Sequence, residues 1–271
     1  MLTAITHAVP PCINQCELSF IDRVFIDYDK AVKQHNEYLD ALARCGLNVI
    51  ELAANLDFPD ACFVEDTAIV VDEIAVITRP GAASRRGETE AIERELKKYR
   101  ETARISSLAT LEGGDVLRTG KRIFVGLSRR TSAQGITELA RILRPFDYSV
   151  TSVEMRGCLH LKSACTALDD HTLLANTEAI DLSQFEDFRI VSVAEGEREA
   201  ANSLAVGDVI LLAEGFPRTR ESIERLGFKV QALDISEFLK AEAGLTCSSL
   251  IFETGDYNVA QMREQDVDKT G

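Results

Sequence analysis

A thiol, an imidazole and several carboxylates are the working parts of nucleophilic catalysis, and this chain of 271 residues holds such a set in Cys247, His160, Glu112, Asp60, Glu65 and Asp66. They stand in four short runs, "FPDACFVED", "LEGGD", "CLHLKS" and "AGLTC". A thiolate is the reactive form of cysteine, a nearby imidazolium favours it, and a carboxylate behind the imidazole holds the ring and raises its basicity. Paired carboxylates such as Glu65 and Asp66 draw in a cation.

Each residue also admits a plainer role. Cys247 stands just ahead of the apolar "SLIF" and could be a small core residue. His160 could be a half-buried strand residue, and Glu112 a turn residue with Gly113 and Gly114 supplying unusual backbone angles. Glu65 and Asp66 could be a solvated pair, although strand alternation between "CFV" and "TAIVV" should direct at least one toward protein. Cys158, His160, Cys165 and His171 could ligate zinc, but their spacing fits no common Cys/His pattern and the second pair straddles a predicted turn. No metal and no organic cofactor is expected.

Four separate runs can act together only if the fold gathers them, and an internal repeat indicates how. A seven-residue strand-like pattern occurs five times: "GLNVIEL" from Gly46, "TARISSL" from Thr102, "DYSVTSV" from Asp147, "DFRIVSV" from Asp187 and "GFKVQAL" from Gly227. Its fourth and seventh positions are β-branched or leucine throughout and should point inward. Helix-like segments precede four copies, and "TEAIDLSQF" before the remaining one is weak. Ahead of four units lie two apolar runs joined by a turn, such as "AIVVDEIAVIT" and "NSLAVGDVILLAE"; the first unit offers only the irregular "SFIDRVFIDYD". Five strand-turn-strand-helix-strand units bury their faces only by packing on one another, which predicts a closed five-fold α/β propeller in one domain, residues 1–271. The connectors that follow the repeated strands then meet at the centre, and these are the runs that carry the reactive residues.

Composition agrees with a globular protein. Hydrophobic residues make up 45% of the chain, enough for a sizeable core. A net charge of −14 argues against nucleic-acid or anionic-membrane partners. Seven cysteines, at 12, 16, 45, 62, 158, 165 and 247, form no secreted-protein framework and read as free thiols. The start "MLTAITHAVPPC" lacks the features of a secretory signal and no stretch is long enough to span a bilayer, so a cytoplasmic location is expected. Cys12, Cys16 and Cys62 would be redox-sensitive if exposed.

In order and spacing, "FVEDTAIV", "ITRPGAASRRGE", "LEGGDVLRTGKRIFVGLSRRT", "LHLKSACTAL" and "GLTCSSLIF" closely resemble the dimethylarginine dimethylaminohydrolases, over about Leu18 to Phe252. The resemblance implies the five-fold propeller called the pentein fold. It also implies hydrolysis of Nω-methylated arginines to citrulline and dimethylamine or methylamine through a covalent cysteine intermediate. By the same resemblance Cys247 is the nucleophile, His160 the general acid and base, and Glu112 the carboxylate that orients His160. Leu18, Asp60, Glu65, Asp66, Arg85 and Arg130 match substrate-binding positions. Arg86 and Arg129 are one-residue alternatives, with Arg85 and Arg130 chosen by their spacing to Asp66 and His160. Two guanidinium forks suit the α-carboxylate of an amino-acid substrate. The implied partner is a small methylated arginine, and the oligomeric state stays open.

Rival readings share the chemistry at Cys247. They are an arginine deiminase, an agmatine deiminase, an amidinotransferase, or a non-catalytic binding protein on the same propeller. Two arginines argue against agmatine, which lacks a carboxylate, the chain lacks the helical insertion expected of arginine deiminases, and a binding protein should lack the Cys, His and carboxylate set.

Overall fold

The computed structural model describes residues 1–255; positions 256–271 of the expected domain lie outside the described residues. The chain opens with β1 (Leu2–His7), α1 (Tyr28–Arg44) and β2 (Asn48–Leu52). Next come β3 (Ala68–Val70), β4 (Ile74–Ile77), α2 (Thr89–Leu96) and β5 (Glu101–Arg104). A third group holds β6 (Val116–Thr119), β7 (Arg122–Leu127), α3 (Ala133–Leu143) and β8 (Ser149–Glu154). A short α4 (Leu161–Ala164) then leads into β9 (Cys165–Ala167), β10 (Thr172–Ala175) and β11 (Arg189–Ser192). The last elements are β12 (Leu204–Val206), β13 (Val209–Ala213), α5 (Pro217–Glu224), β14 (Lys229–Leu233), α6 (Ser236–Leu239) and β15 (Leu250–Glu253).

These strands form five three-stranded sheets of one design: an inner strand antiparallel to a middle strand, which runs parallel to an outer one. The inner strands β3, β6, β9, β12 and β15 together line a single cavity of about 380 Å³ on the pseudo-five-fold axis. Middle strands carry buried apolar runs, such as Leu173, Leu174 and Ala175 of β10 and Ala75, Val76 and Ile77 of β4, because they are covered on both faces; β1 also buries the polar Thr3, Thr6 and His7. Outer strands are mostly exposed or partly buried. Helices α1 and α3 start where Asp27 and Ser132 accept the backbone N–H of Lys30 and Gly135.

The expected architecture is present, with three corrections. First, "SFIDRVFIDYD" forms no strand. The first sheet instead takes its inner strand from the far end of the chain, β15 pairing with β1 from Leu2↔Glu253 to Ile5↔Leu250, so the two ends of the described chain close the ring. Second, the second repeat copy starts at Tyr99, three residues before the Thr102 that its sequence match indicates. Ile74 pairs with Glu101 where Arg122 pairs with Ser149 and Val209 with Lys229, so Tyr99 is the counterpart of Asp147 and Gly227. Ile105 therefore holds the inward seventh position at 5% exposure, whereas Leu108 lies past the strand and is 89% exposed. Third, the fourth unit has only a 3₁₀ turn, Leu182–Phe185, in place of a helix. Gly46, Asp147 and Gly227, which open three copies, adopt left-handed φ of 86°, 62° and 92°, the turn that ends the preceding helical segment.

Candidate active site

A short helical turn precedes the inner strand of every unit: Val64–Thr67, Gly113–Asp115, Leu161–Ala164, Arg198–Ala201 and Thr246–Ser248. Glu65 and Asp66 sit in the first, Glu112 and His160 cap the second and third, and Cys247 sits in the fifth. Short turns feeding five converging strands are what bring residues from distant sequence to one centre. None of these residues is therefore the strand residue that local alternation had suggested, and Glu65 and Asp66 are both buried at 7% and 4% exposure.

His160 Nε2 lies 2.7 Å from Glu112 Oε2 and 3.8 Å from Asp66 Oδ1. The other Glu112 oxygen accepts from Gly81 N at 2.9 Å and from Arg130 Nη1 at 3.4 Å, and Thr131 Oγ1 receives Glu112 N. Asp66 is held as firmly, with Oδ2 at 2.6 Å from Arg85 Nη1 and Oδ1 at 2.9 Å from Gly114 N. Gly113 and Gly114 have no left-handed backbone; they are required by close approach. A Cβ on Gly114 would lie 2.6 Å from His160 Nδ1 and 2.7 Å from Asp66 Oδ1, and one on Gly113 would strike Glu65 O at 1.9 Å.

These contacts fix the charges. Burial disfavours the His160 imidazolium, but Asp66, Asp115 and Glu112 more than offset it and raise the ring to about 9. Burial works against ionised Asp66 too, yet His160, Arg85 and the Gly114 N–H hold it well below the usual carboxylate range. Glu112 is lowered despite its burial, chiefly by its bond to His160. The Cys247 thiol moves the other way: burial, then the carboxylates Glu65 and Asp66, push it up to about 12. Its sulfur accepts from Gly244 N at 3.3 Å. Cys247 and Leu18 both pack against the same apolar cluster, which contains Phe63 and Phe238.

The remaining expected residues fall around this centre. Glu65 accepts from Lys162 Nζ at 2.5 Å and from Thr246 Oγ1 at 2.7 Å, so its carboxylate is tied to the residue beside Cys247. Burial nevertheless raises Glu65 above the usual carboxylate range. Asp60 accepts Glu17 N through both oxygens, at 3.2 and 3.1 Å. Arg85 is buried and donates to Asp66, Glu88 and Phe63 O, leaving one Nη1 hydrogen among its five N–H groups. Arg130 is buried and reaches Ser19 Oγ at 3.1 Å. Their neighbours face elsewhere: Arg86 donates to Pro80 O, and Arg129 lies over the Phe20 ring.

Several contributors were not anticipated. Glu88 partners Arg85, Asp115 accepts Leu161 N at 3.0 Å next to His160, and Lys162 pairs with Glu65. Asn202 exchanges two bonds with Thr246, at 3.1 and 3.0 Å. The repeat did contain the signal for Asn202, since it lies in the connector after the fourth copy, the one connector left without a candidate.

Zinc ligation by Cys158, His160, Cys165 and His171 is not supported by their positions. Cys165 is buried in β9 and His171 is exposed in the following turn. Among the described residues the donor atoms of Asp66, Glu112 and His160 do lie within 4.8 Å of one another. Each of these side chains is already bonded to protein, His160 to Glu112 and Asp66 to Arg85 and Gly114 N. Cys16 and Cys62 are fully buried, so of the three cysteines raised as redox-sensitive only Cys12 is partly open to solvent.

Known proteins resemble this chain in both sequence and fold. Residues 13–201 match the family model described as N,N dimethylarginine dimethylhydrolase, eukaryotic. The N(G),N(G)-dimethylarginine dimethylaminohydrolase of Pseudomonas aeruginosa is 40% identical over 228 residues, which is 83% of this chain and 90% of that protein. A crystal structure of the Pseudomonas aeruginosa enzyme, a cysteine-to-serine variant with citrulline, superposes with a TM-score of 0.88 at 36% identity over 93% of this chain and all of that one. A dimethylarginine dimethylaminohydrolase with histidine replaced by glycine, as an adduct with S-methyl-L-thiocitrulline, aligns with the same score, identity and coverage.

Proposed function

The chain belongs to the dimethylarginine dimethylaminohydrolase family, and from that premise we propose how its residues hydrolyse Nω-methylated arginines to citrulline and an alkylamine. The observation that carries the assignment of roles is the convergence of Asp66, Glu112 and His160 in one buried cluster, with the Cys247 turn packed on the turn that holds Glu65 and Asp66.

A guanidinium carbon resists water because three nitrogens share its charge, so a stronger nucleophile is needed. With its pKa near 12, the Cys247 thiol is protonated in the free enzyme. Bringing a guanidinium against Glu65, Asp66 and Cys247 supplies the positive charge that favours the thiolate, and the thiol proton passes to solvent as substrate binds, so the substrate activates its own nucleophile. The sulfur attacks the guanidinium carbon, and His160, protonated at neutral pH because of its carboxylate neighbours, gives its proton to the departing alkylamine as the C–N bond breaks. Neutral His160 then takes a proton from water. The oxygen adds to the carbon, the C–S bond breaks and citrulline leaves. Glu112 occupies Nε2, which leaves Nδ1 for these proton transfers.

Asp66 and Glu65 receive the guanidinium N–H groups, and Leu18 and Asp60 contact the rest of the substrate. Arg130 and the remaining Nη1 hydrogen of Arg85 address the α-carboxylate. We read residues 1–271 as one catalytic domain that needs no metal or cofactor. A cytoplasmic location is supported by its seven free thiols and by the want of any helix, among the described residues, long and apolar enough to cross a membrane.

The test is to incubate the purified protein separately with asymmetric dimethylarginine, monomethylarginine, arginine and agmatine, and to assay citrulline or carbamoylputrescine together with the released amine. Citrulline from the methylated arginines alone is the expected result. Turnover of arginine or agmatine alone would retain the triad but overturn the substrate.

A further inference from the structure

Residues 17–27 form no helix or strand, and Ser19–Phe25 are exposed. Such a segment stays in place only through bonds to its surroundings. One end is fixed to residues around the candidate site: Glu17 N donates to Asp60, Ser84 Oγ donates to the Glu17 carboxylate, and Arg130, whose Nη1 reaches Glu112, donates from Nη2 to Ser19 Oγ at 3.1 Å. The far end is tied by Asn14, which pairs with Ile26, by Lys240 Nζ donating to Phe25 O and by Asp27 N donating to Glu237. Between the two ends one side chain holds three consecutive amides. Glu242 accepts the consecutive backbone N–H groups of Ser19, at 2.7 Å, Phe20, and Ile21, at 2.8 Å.

Glu242 is unusual in its own backbone, with a left-handed φ of 56°. A glycine would adopt that conformation without strain, so a glutamate there implies a use for its side chain. Three successive amides around one carboxylate form an anion-binding nest. Glu242 also stands five positions before Cys247, on the loop that delivers the nucleophile.

We propose that Glu242 is a positioning residue: its carboxylate latches the Leu18–Ile21 segment across the cleft, and substrate entry and product release require these three bonds to open. The proposal rests on the functional reading above for the nature of the substrate. Neutral glutamine supplies one acceptor oxygen in place of a carboxylate and aims an N–H₂ group at a donor. Glycine removes the latch and relaxes the backbone.

The experiment compares wild type with Glu242→Gln and Glu242→Gly in the full chain. Steady-state kinetics on asymmetric dimethylarginine are read beside the rate of chymotrypsin cleavage at Phe20 and Phe25, with thermal melting as the control for folding. The latch predicts that both variants raise KM by roughly fivefold or more, with kcat held or increased, and that both are cleaved several-fold faster while Glu242→Gly melts no lower than wild type. Unchanged cleavage and unchanged KM in the two variants would overturn it. Cleavage needs no turnover, so wild-type protein inert toward methylated arginines would defeat the functional reading while the cleavage rates still decide the latch.

Discussion

The imidazole of His160 and the carboxylate of Glu112 meet at 2.7 Å across 48 positions of sequence, each capping the short turn of a different propeller unit. Glu112 is completely buried, so this bond is made away from water and acts on both partners.

One consequence concerns pH. His160 is raised to about 9 in the folded protein against about 6.5 unfolded. A raised histidine stabilises the fold fully below the unfolded value and loses that contribution as pH rises through the folded one. Wild-type melting temperature should therefore decline between about pH 6.5 and 9. Glu112→Gln should flatten that decline, move the high-pH limb of kcat/KM to lower pH, and cut kcat by about 10²–10⁴-fold. Thermal melts and rate profiles across this range check all three.

Cys247→Ser should lower kcat by at least about a thousandfold, because a hydroxyl is far less ionised than a thiol in the same buried site. The fold should be kept, with a melting temperature close to wild type, and the variant should still bind substrate in calorimetry. Retained turnover would remove Cys247 from the nucleophile role.

Gly114→Ala tests the close approach at the centre. The added methyl would fall within 2.6–2.7 Å of His160 and Asp66 and must displace one of them. A shift of that size should cost on the order of 10²-fold in kcat, measured beside circular dichroism to show that the fold survives.

Lys162→Met removes the cation that faces buried Glu65. Breaking a buried pair from one side typically costs about 3–5 kcal/mol, and denaturant unfolding should show a loss of that order. The double variant Lys162→Met with Glu65→Gln should recover part of it, since no lone charge is then buried.

Arg130→Lys keeps the charge but loses the planar fork. KM for methylated arginines should rise roughly tenfold or more with a smaller change in kcat, the pattern of lost binding common to ground and transition states. The corresponding change at Arg129, which lies against Phe20 on the exposed segment, should leave KM near wild type.

The sequence by itself determined the repeating unit and the four runs that hold Cys247, His160, Glu112 and the Glu65–Asp66 pair. These features are local. The apolar pattern of a strand is encoded in a few neighbouring residues, so it can be read without the rest of the chain. Even there, copies could be misregistered, as the three-residue slip at Thr102 shows, because short β-rich stretches fit more than one alignment. The tertiary structure alone decided what depends on pairing across units. It takes β15 from the far end of the described chain to complete the first sheet, ties Lys162 to Glu65 and Asn202 to Thr246, makes glycine necessary at 114, and brings Glu242 to the backbone of Ser19–Ile21. Such contacts form only when five separate units close on one axis, and no local pattern records which distant polar group will be waiting there.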